Sequence, residues 1–408
     1  MSTKSKNILV LCEKLDIDFT SSGVGRSKLL RCLGQSNNSL TCVFDQFHET
    51  RTPQIEGVKM LRLVKNTNSI WLKISKFGKL SAVFHYLSGF NAEFRNLLFD
   101  WKKAIEKELH NNHYDVILVL ATGQQLTTFF AISQVKTKVP YILNFHDPYP
   151  EAFHPAFERK PDLVTTKRYK IVQKLVEKSL AVTTPAKLLL EHLNKYYKIL
   201  AKGVVLPHPG ISTSAPRQKN DKLSIVHTGL LFGQRNPIYL LEALQELIAE
   251  ELIEENKIHV DLIGPSKLNE TTFQGLIDAL KGVVNYSTDR ISYQESLVLQ
   301  ESADVLLLID FDIEESPIML GKLADYFALN KPILALSPLK SETTRLLGKD
   351  YPYQSPVSNK PVIKKVLIQL YNDWKSGQLA KVNLDEQQAY VSCQNINHIF
   401  NNQVLSKL

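Results

Sequence analysis

Two doubly wound α/β domains, each a parallel sheet covered by helices on both faces, are what this sequence predicts. Three observations predict them. Apolar runs of strand length alternate with stretches of helical spacing along most of the 408 residues. The alternation pauses at a polar, proline-containing stretch, SAPRQKNDK over 214–222, and then restarts. Charge divides near the same place: residues 1–210 hold 30 Lys and Arg against 17 Asp and Glu, and the rest hold 19 against 24. A chain of this length accommodates two or three domains at about 100–200 residues each.

In the first half, NILVLCEK reads as a buried strand, SSGVGRSKLLRCLGQS as a glycine turn entering a helix, and LTCVFDQF as a second strand. YDVILVLATG and VPYILNFHD are further strands, separated by a helical stretch, QQLTTFFAISQVKTK. RYKIVQKLVEKSLAVTTPAKLLLEHLNKYY gives helix, short strand and helix, and KGVVLPHPG closes the half with a strand. After 222 the strands are LSIVHTG, KIHVDLIG, VVNYST, DVLLLIDF and KPILALSP, with helices between them, and the tail beyond about 360 is helical. The expected division is 1–210 for the first domain, 211–385 for the second, and a helix over 386–408 crossing back to the first. Two such sheets predict a cleft between two sets of strand carboxyl ends, where open parallel sheets take ligands.

Composition narrows the class. With 44% hydrophobic and 22% charged residues the chain reads as an ordinary soluble protein. No apolar run reaches the length of a membrane span. The basic start followed by a short apolar run and acids reads as a first strand, not a signal peptide. Cys12, Cys32, Cys42 and Cys393 lack C-x-x-C spacing. Neither a metal site nor a disulfide framework is therefore expected, and a reducing cytoplasm fits. The positive first half suggests an anionic partner, with plain surface lysine as the alternative.

Candidate site residues fall at strand ends. Gly23 and Gly25 in SSGVGRS stand at the first strand–helix junction, where glycine lets backbone N–H groups approach an anion or sugar; an ordinary turn is the alternative. Lys28 occupies the sixth position of what would be a dinucleotide fingerprint, which argues against a nicotinamide cofactor. His146 and Asp147 in NFHDPYP follow a strand and suit a ligand hydroxyl, or a structural role. In VHTGLLFGQRNP a strand runs into Gly229 and a glycine loop carrying Arg235, whose planar guanidinium suits a diphosphate; a surface arginine is the alternative. Gly264 ends the next strand. Arg290 and Ile291 lie in turn chemistry ahead of a helix, where backbone groups near Ile291 suit a nucleotide base. In SPIMLGKLADYFALNKPILA, Ser316-Pro317 is expected to start a helix, since proline suits a first turn. That start aims free amides and Lys322 at a diphosphate, with Asp325 one turn on.

Residues 59–107 interleave Trp71, Phe77, Phe84, Tyr86 and Phe90 with Lys65, Lys73, Lys76 and Lys79. Aromatics and lysines on amphipathic segments suit an anionic membrane surface. Core aromatics beside solvated lysines are the plain alternative. Nucleic acid is not expected, because arginine is sparse and no reader motif appears.

Taken in order, GVGRS, FHD, HTGLLFGQRNP, DRISYQES with ADVLLL, and SPIMLGKLADYFALNKPILA resemble the GT-B fold glycosyltransferases, in particular the large retaining family 4, over nearly the whole chain. The resemblance implies two Rossmann-like domains, the first for an acceptor and the second for a nucleoside-diphosphate sugar. It implies Arg235 on the diphosphate, Ile291 at the base, and Gly23 and Gly25 near the donor phosphates and acceptor. It also implies His146 near the transferred sugar and Asp325, as the second acid of an E-x7-E motif, on the ribose. The chain departs from the pattern where Pro317 replaces the first glutamate and Leu230 replaces an arginine, and Lys322 is the expected substitute charge.

The activity so implied is sugar transfer from a UDP- or GDP-sugar to a saccharide or lipid-linked acceptor in cell-surface polysaccharide or glycolipid synthesis. It would be retaining, with no metal and no cofactor, His146, Asp147, Arg235 and Lys322 being the catalytic candidates. The cytoplasmic face of the membrane is the expected location. A degenerate subunit that scaffolds an active partner and a nucleotide-sugar epimerase are the alternatives.

Overall fold

A computed structural model describes residues 5–17, 20–46, 52–121, 123, 125–211, 221–268 and 271–408. Apart from Asp221 and Lys222, the predicted linker 214–222 lies outside the described residues. The chain forms two units, Met1–Pro209 with Cys393–Leu408, and Gly210–Ser392.

In the first unit β1 (Asn7–Cys12), β2 (Ser39–Phe44), β3 (Val58–Arg62), β4 (Val116–Leu120), β5 (Tyr141–Asn144), β6 (Ala181–Thr184) and β7 (Gly203–Val205) make one parallel sheet. Their order is β3-β2-β1-β4-β5-β6-β7. Residues Ile8 to Cys12 are wholly buried, as are Val116 to Leu120, because helices cover both faces; hence the unbroken apolar runs rather than alternation. β3 was not legible as a strand. It is an edge, and its exposed Lys59 and Arg62 mask the apolar pattern while guarding the edge against further pairing.

The helices of this unit are α1 (Ser21–Gly34), α2 (Ile70–Ser75), α3 (Gly78–Ser88), α4 (Ala92–Asn111), α5 (Thr127–Ile132), α6 (Leu163–Lys178) and α7 (Lys187–Tyr197). Side chains that accept a backbone N–H start several of them, Thr20 for α1, Asn91 for α4 and Asp162 for α6. The expected glycine turn is in fact helix: Gly23 and Gly25 lie in the opening turns of α1, whose cap Thr20 accepts the Gly23 N–H at 2.9 Å. The helix predicted over QQLTTFFAISQVKTK shrinks to α5, where the Ser133 hydroxyl donates back to the Phe130 carbonyl at 2.7 Å and the polar residues beyond have no core to face.

In the second unit β8 (Leu223–Thr228), β9 (Ile258–Ile263), β10 (Val284–Ser287), β11 (Val305–Ile309), β13 (Ile333–Leu336) and β15 (Gln354–Ser355) form a parallel sheet in the order β10-β9-β8-β11-β13-β15. A separate two-strand ladder pairs β12 (Glu315–Ser316) with β14 (Lys340–Ser341). The helices are α8 (Ile238–Ala249), α9 (Thr271–Ala279), α10 (Tyr293–Ser302), α11 (Gly321–Leu329), α12 (Glu342–Leu347), α13 (Lys360–Lys375) and α14 (Asp385–Tyr390). The core runs from Leu223 and Leu262 through Val305 and Leu334 to Ile363 and Leu370.

The ladder corrects one expectation. Ser316 is held in β12 against Ser341, so Ser316-Pro317 cannot open the helix, and α11 begins at Gly321.

A last helix, α15 (Cys393–Ile399), packs in the first unit, where Ile396, Phe400 and Val404 join the core around Leu30 and Leu33. The absence of a disulfide, expected from the spacing, is also corrected. Cys32 of α1 and Cys393 of α15 are bonded across a sequence separation of 361, with their Cα atoms 4.8 Å apart. A pairing at that separation leaves no spacing motif to read. The Asn397 amide donates to the Cys32 carbonyl at 2.7 Å, and the Asn38 amide to Asn401 at 2.8 Å. Cys12 and Cys42 are free and buried.

Candidate functional site

Each sheet has one switch point, where the chain reverses its direction of travel across the strands: between β1 and β4, and between β8 and β11. Crevices at such points receive ligands in open α/β sheets. In the second unit Gly229, with φ +139°, follows β8 directly, and Gly264, with φ +131°, follows β9. These conformations are open only to glycine. The two residues are in contact: a β-carbon on Gly264 would lie 2.9 Å from the Gly229 backbone. A β-carbon on Gly229 would collide with Nζ and Cε of Lys322. The glycine corner is thus the seat of the lysine ammonium.

Lys322 is the second residue of α11. Protein shields its ammonium from water, and the guanidinium of Arg235 repels it; against the Asp325 carboxylate, these hold its pKa down at about 7. Arg235 lies over the Phe311 ring at 4.3 Å and near Phe232 at 5.8 Å, a cation–π arrangement that attracts the guanidinium to this place. Phe232 and Phe311 meet edge to face. Two positive groups therefore crowd the switch point, and an anion placed there would relieve their repulsion.

Two further groups complete the corner. Asp310, fully buried after β11, accepts hydrogen bonds from the Phe311 N–H at 2.7 Å, Ser316 Oγ at 3.0 Å and Ser337 Oγ at 3.2 Å. Burial raises its pKa, although Arg235 and the three donors pull it back. His227, on β8 and buried, donates Nδ1–H to the Leu307 carbonyl at 3.0 Å, and its Nε2 is buried without a partner. Burial, then the charge of Lys322, push its pKa down to about 3, so it is neutral at pH 7. Neither residue was singled out in the sequence. A histidine and an aspartate at the ends of apolar strands were the only signal.

Asp325 is buried and accepts the Tyr293 hydroxyl at 3.0 Å and the Ile211 N–H at 3.4 Å. Thr228 Oγ1 and Ser296 Oγ lie 2.7 Å apart, and the Gln300 amide donates to both, which ties α10 to the end of β8. Exposed Arg290 and half-buried Ile291 lie in the loop after β10, just before the Ser292–Glu295 capping box of α10.

The first unit gathers a second cluster. His146 and Asp147 follow β5, and the His146 ring lies 5.0 Å from that of His208, beyond β7. Burial, followed by His208 and Arg26, holds His146 well below the usual imidazole range. Burial, followed by Lys28 and Arg26, pushes His208 down to about 3. Arg26 is fully buried and donates to the carbonyls of Glu13 at 2.7 Å and Ala121 at 3.0 Å. It thereby joins the loops leaving β1 and β4. Gly23 is packed against the Asp16 carbonyl, whereas nothing lies within 4 Å of a β-carbon on Gly25. Arg26 and His208 escaped the sequence reading. One sits in a helix that looked merely amphipathic, the other in the closing strand's PHPG tail.

Of the predicted residues, Gly229, Gly264, Arg235, Lys322 and Asp325 meet at the second switch point, while His146 joins Arg26 and His208 in the first unit. Arg290 and Ile291 stand at the edge strand β10. Among the described residues no three His, Cys, Asp or Glu side chains are grouped to hold a metal ion.

No protein-family model matches this chain, and no curated protein matches it. Solved structures do. A glycosyltransferase from Rickettsia africae is similar with TM-score 0.60 at 12% identity, over 98% of this chain and 99% of that one. Anabaena HepE, in complex with UDP and glucose, gives 0.62 at 12%, over 99% and 100%. Sucrose-phosphate synthase from Thermosynechococcus elongatus gives 0.63 at 12%, over 98% and 99%. With two parallel-sheet α/β units in this order and these neighbours along its full length, the chain has the GT-B fold of glycosyltransferases.

Proposed function

We propose that this protein is a glycosyltransferase that moves a sugar from a UDP- or GDP-sugar to a saccharide or lipid-linked acceptor in cell-surface polysaccharide or glycolipid synthesis. The observation that carries the reading is the pair Arg235 and Lys322 beside the glycine corner Gly229–Gly264. The second unit takes the donor. Its two cations meet the diphosphate, and their charge stabilises the negative charge that grows as the sugar leaves. Arg290 and Ile291 meet the base. Asp325, through its hydrogen bonds to Tyr293 and Ile211, sets the ribose end of the pocket. The first unit takes the acceptor, and neutral His146, with Asp147, offers hydrogen bonds to sugar hydroxyls. Gly25, around which a β-carbon would meet nothing within 4 Å, leaves the start of α1 open to a ligand, and Gly23 lets that turn pack against the Asp16 carbonyl.

The reading includes retention of anomeric configuration and independence of metal: the leaving diphosphate accepts the acceptor proton, and Arg235 and Lys322 do what a divalent cation would do elsewhere. Family 4 remains the group it resembles in motif order. HepE, a structural neighbour, was solved with UDP-glucose, which makes UDP-sugars the first donors to try. Calorimetric titration with UDP, UDP-glucose, GDP and GDP-mannose tests the proposal. One nucleotide series should bind, and Arg235→Ala should weaken it. No binding in either series overturns it. Transfer that persists in EDTA supports metal independence.

A second reading, a donor-binding subunit that itself transfers nothing, rests on Leu230. It is 40% exposed in the glycine loop, where the resembling family carries an arginine. Donor binding without turnover, with turnover restored only by a co-purified partner, would favour it.

A further inference from the structure

We propose that the outer face of α2 and α3 is a docking surface for a bilayer that carries anionic lipids. From Gly57 to Ala92 the chain has no Asp or Glu, yet it has six Lys and Arg. Neither α2 nor α3 contains a buried residue. Their inner side is accounted for. Trp71 and Phe84 pack edge to face, and Arg95 of α4 covers both rings at 5.0 and 5.4 Å. Lys167 of α6 closes the end of α3 by donating to the Tyr86 and Leu87 carbonyls at 2.6 and 3.0 Å.

The other side has no such partner among the described residues. Leu80, Val83 and Leu87, spaced three and four apart, form one stripe of α3. Phe77 and Leu87 are each 67% exposed, more than isolated surface residues of a solvated helix require. Lys73, Lys76 and Lys79 stand exposed beside the stripe. This is the composition of a helix pair lying in a membrane interface, with apolar side chains entering the acyl boundary and lysines meeting lipid phosphates. Among the described residues no helix is long and apolar enough to cross a membrane, so the contact is interfacial.

Charge selects this occupant over two others. A second copy of the chain would set six positive groups against six, with no acid in the segment to offset them. A nucleic acid would satisfy the lysines but leave Phe77, Val83 and Leu87 in water. The surface uses none of the residues assigned to the donor, so its failure would leave that reading intact.

Flotation of the full chain with vesicles tests it. Vesicles of phosphatidylcholine with about one third phosphatidylglycerol should carry the protein at low salt and release it at high salt. Pure phosphatidylcholine should bind at least about tenfold more weakly. The charge variant Lys73→Glu/Lys76→Glu/Lys79→Glu should lose binding on the order of 100-fold, and Val83→Ser/Leu87→Ser about tenfold. Both should keep wild-type circular dichroism, melting temperature and affinity for the nucleotide. Equal binding to both vesicle types, no binding to either, wild-type binding by the charge variant, or tighter binding to RNA than to vesicles would each overturn the proposal. So would light scattering that shows a dimer lost in the serine variant.

Discussion

The ammonium of Lys322 occupies the space where a β-carbon of residue 229 would be. A residue at a strand end and one at a helix start, 93 positions apart in sequence, therefore constrain each other. Gly229→Ala should force Lys322 out of its seat and strain a backbone at φ +139°. We expect a stability loss of about 1–3 kcal/mol and donor affinity lower by roughly tenfold or more. Gly275→Ala is the control. Its β-carbon would meet nothing within 4 Å, inside α9, so it should stabilise by about 0.5–1 kcal/mol. Chemical denaturation and nucleotide titration of the two variants distinguish a seat for the lysine from a general intolerance of substitution.

Arg235 offers a different test, because its guanidinium, and not merely a charge, sits over an aromatic ring. The guanidinium rests on Phe311 at 4.3 Å. Arg235→Lys keeps the charge but loses both the stacked plane and the two-pronged donor set. It should weaken UDP-sugar binding almost as much as Arg235→Ala, by about 10- to 100-fold, the range of a lost charged hydrogen bond. If Arg235→Lys binds like wild type, the stacking has no part in donor recognition.

The fold was legible because both sheets are parallel and covered on both sides, so each central strand appears as an unbroken apolar run: Ile8 to Cys12, Val116 to Leu120, Val305 to Ile309. What lay at an edge or in a short ladder was not. β3 is too charged to read as a strand, and β12 is two residues held by Ser341 opposite and by Asp310 below. Of the candidate site, the cations Arg235 and Lys322 and the glycines Gly229 and Gly264 were legible, because they stand next to strand ends. His227, Asp310, Arg26 and His208 were not legible. Their importance comes from burial and neighbours contributed by distant strands, and the sequence carries no local trace of that. The Cys32–Cys393 bond escaped for the same reason.

The disulfide should anchor the C-terminal segment. It joins α15 to α1, and the segment beyond it buries Phe400 and Val404 completely in the first unit's core. Cys393→Ser should lower stability by about 2–4 kcal/mol and speed proteolysis of the last turns. Alkylation and mass measurement of the denatured, non-reduced protein should find two reactive thiols, Cys12 and Cys42, rising to four after reduction. Four before reduction would remove the bond from this account.

Acid should unfold the protein through its histidines. The pKa values of His227 and His208 are pushed down to about 3, and that of His146 is also well down, in each case chiefly by burial. In the unfolded chain these rings titrate near 6.5. Between that value and the folded ones the unfolded state binds more protons, so stability falls as pH drops below about 6.5. His208→Gln should flatten part of that slope in melting curves taken from pH 7 to pH 4. An unchanged slope would mean that this ring is not buried and neutral.

Lys322 makes the opposite demand on the ligand. Its pKa, about 7 in the free protein through shielding from water and the repulsion of Arg235, lies far below that of a lysine in an unfolded chain. Free-protein stability should therefore rise with pH above 7, as the folded lysine sheds a proton that the unfolded one keeps. A diphosphate favours the charged form and draws the pKa back up, so binding takes up a proton near and above pH 7. Affinity for UDP-glucose, whose diphosphate has no ionisation of its own in this range, should be flat near pH 6 and weaken steadily from pH 7 to pH 9. The calorimetric enthalpy at pH 8 should depend on the buffer's own protonation heat. Lys322→Arg, charged throughout, should abolish both the pH dependence and the buffer dependence while still binding the donor. If wild type and Lys322→Arg show the same profile, Lys322 does not titrate against the donor.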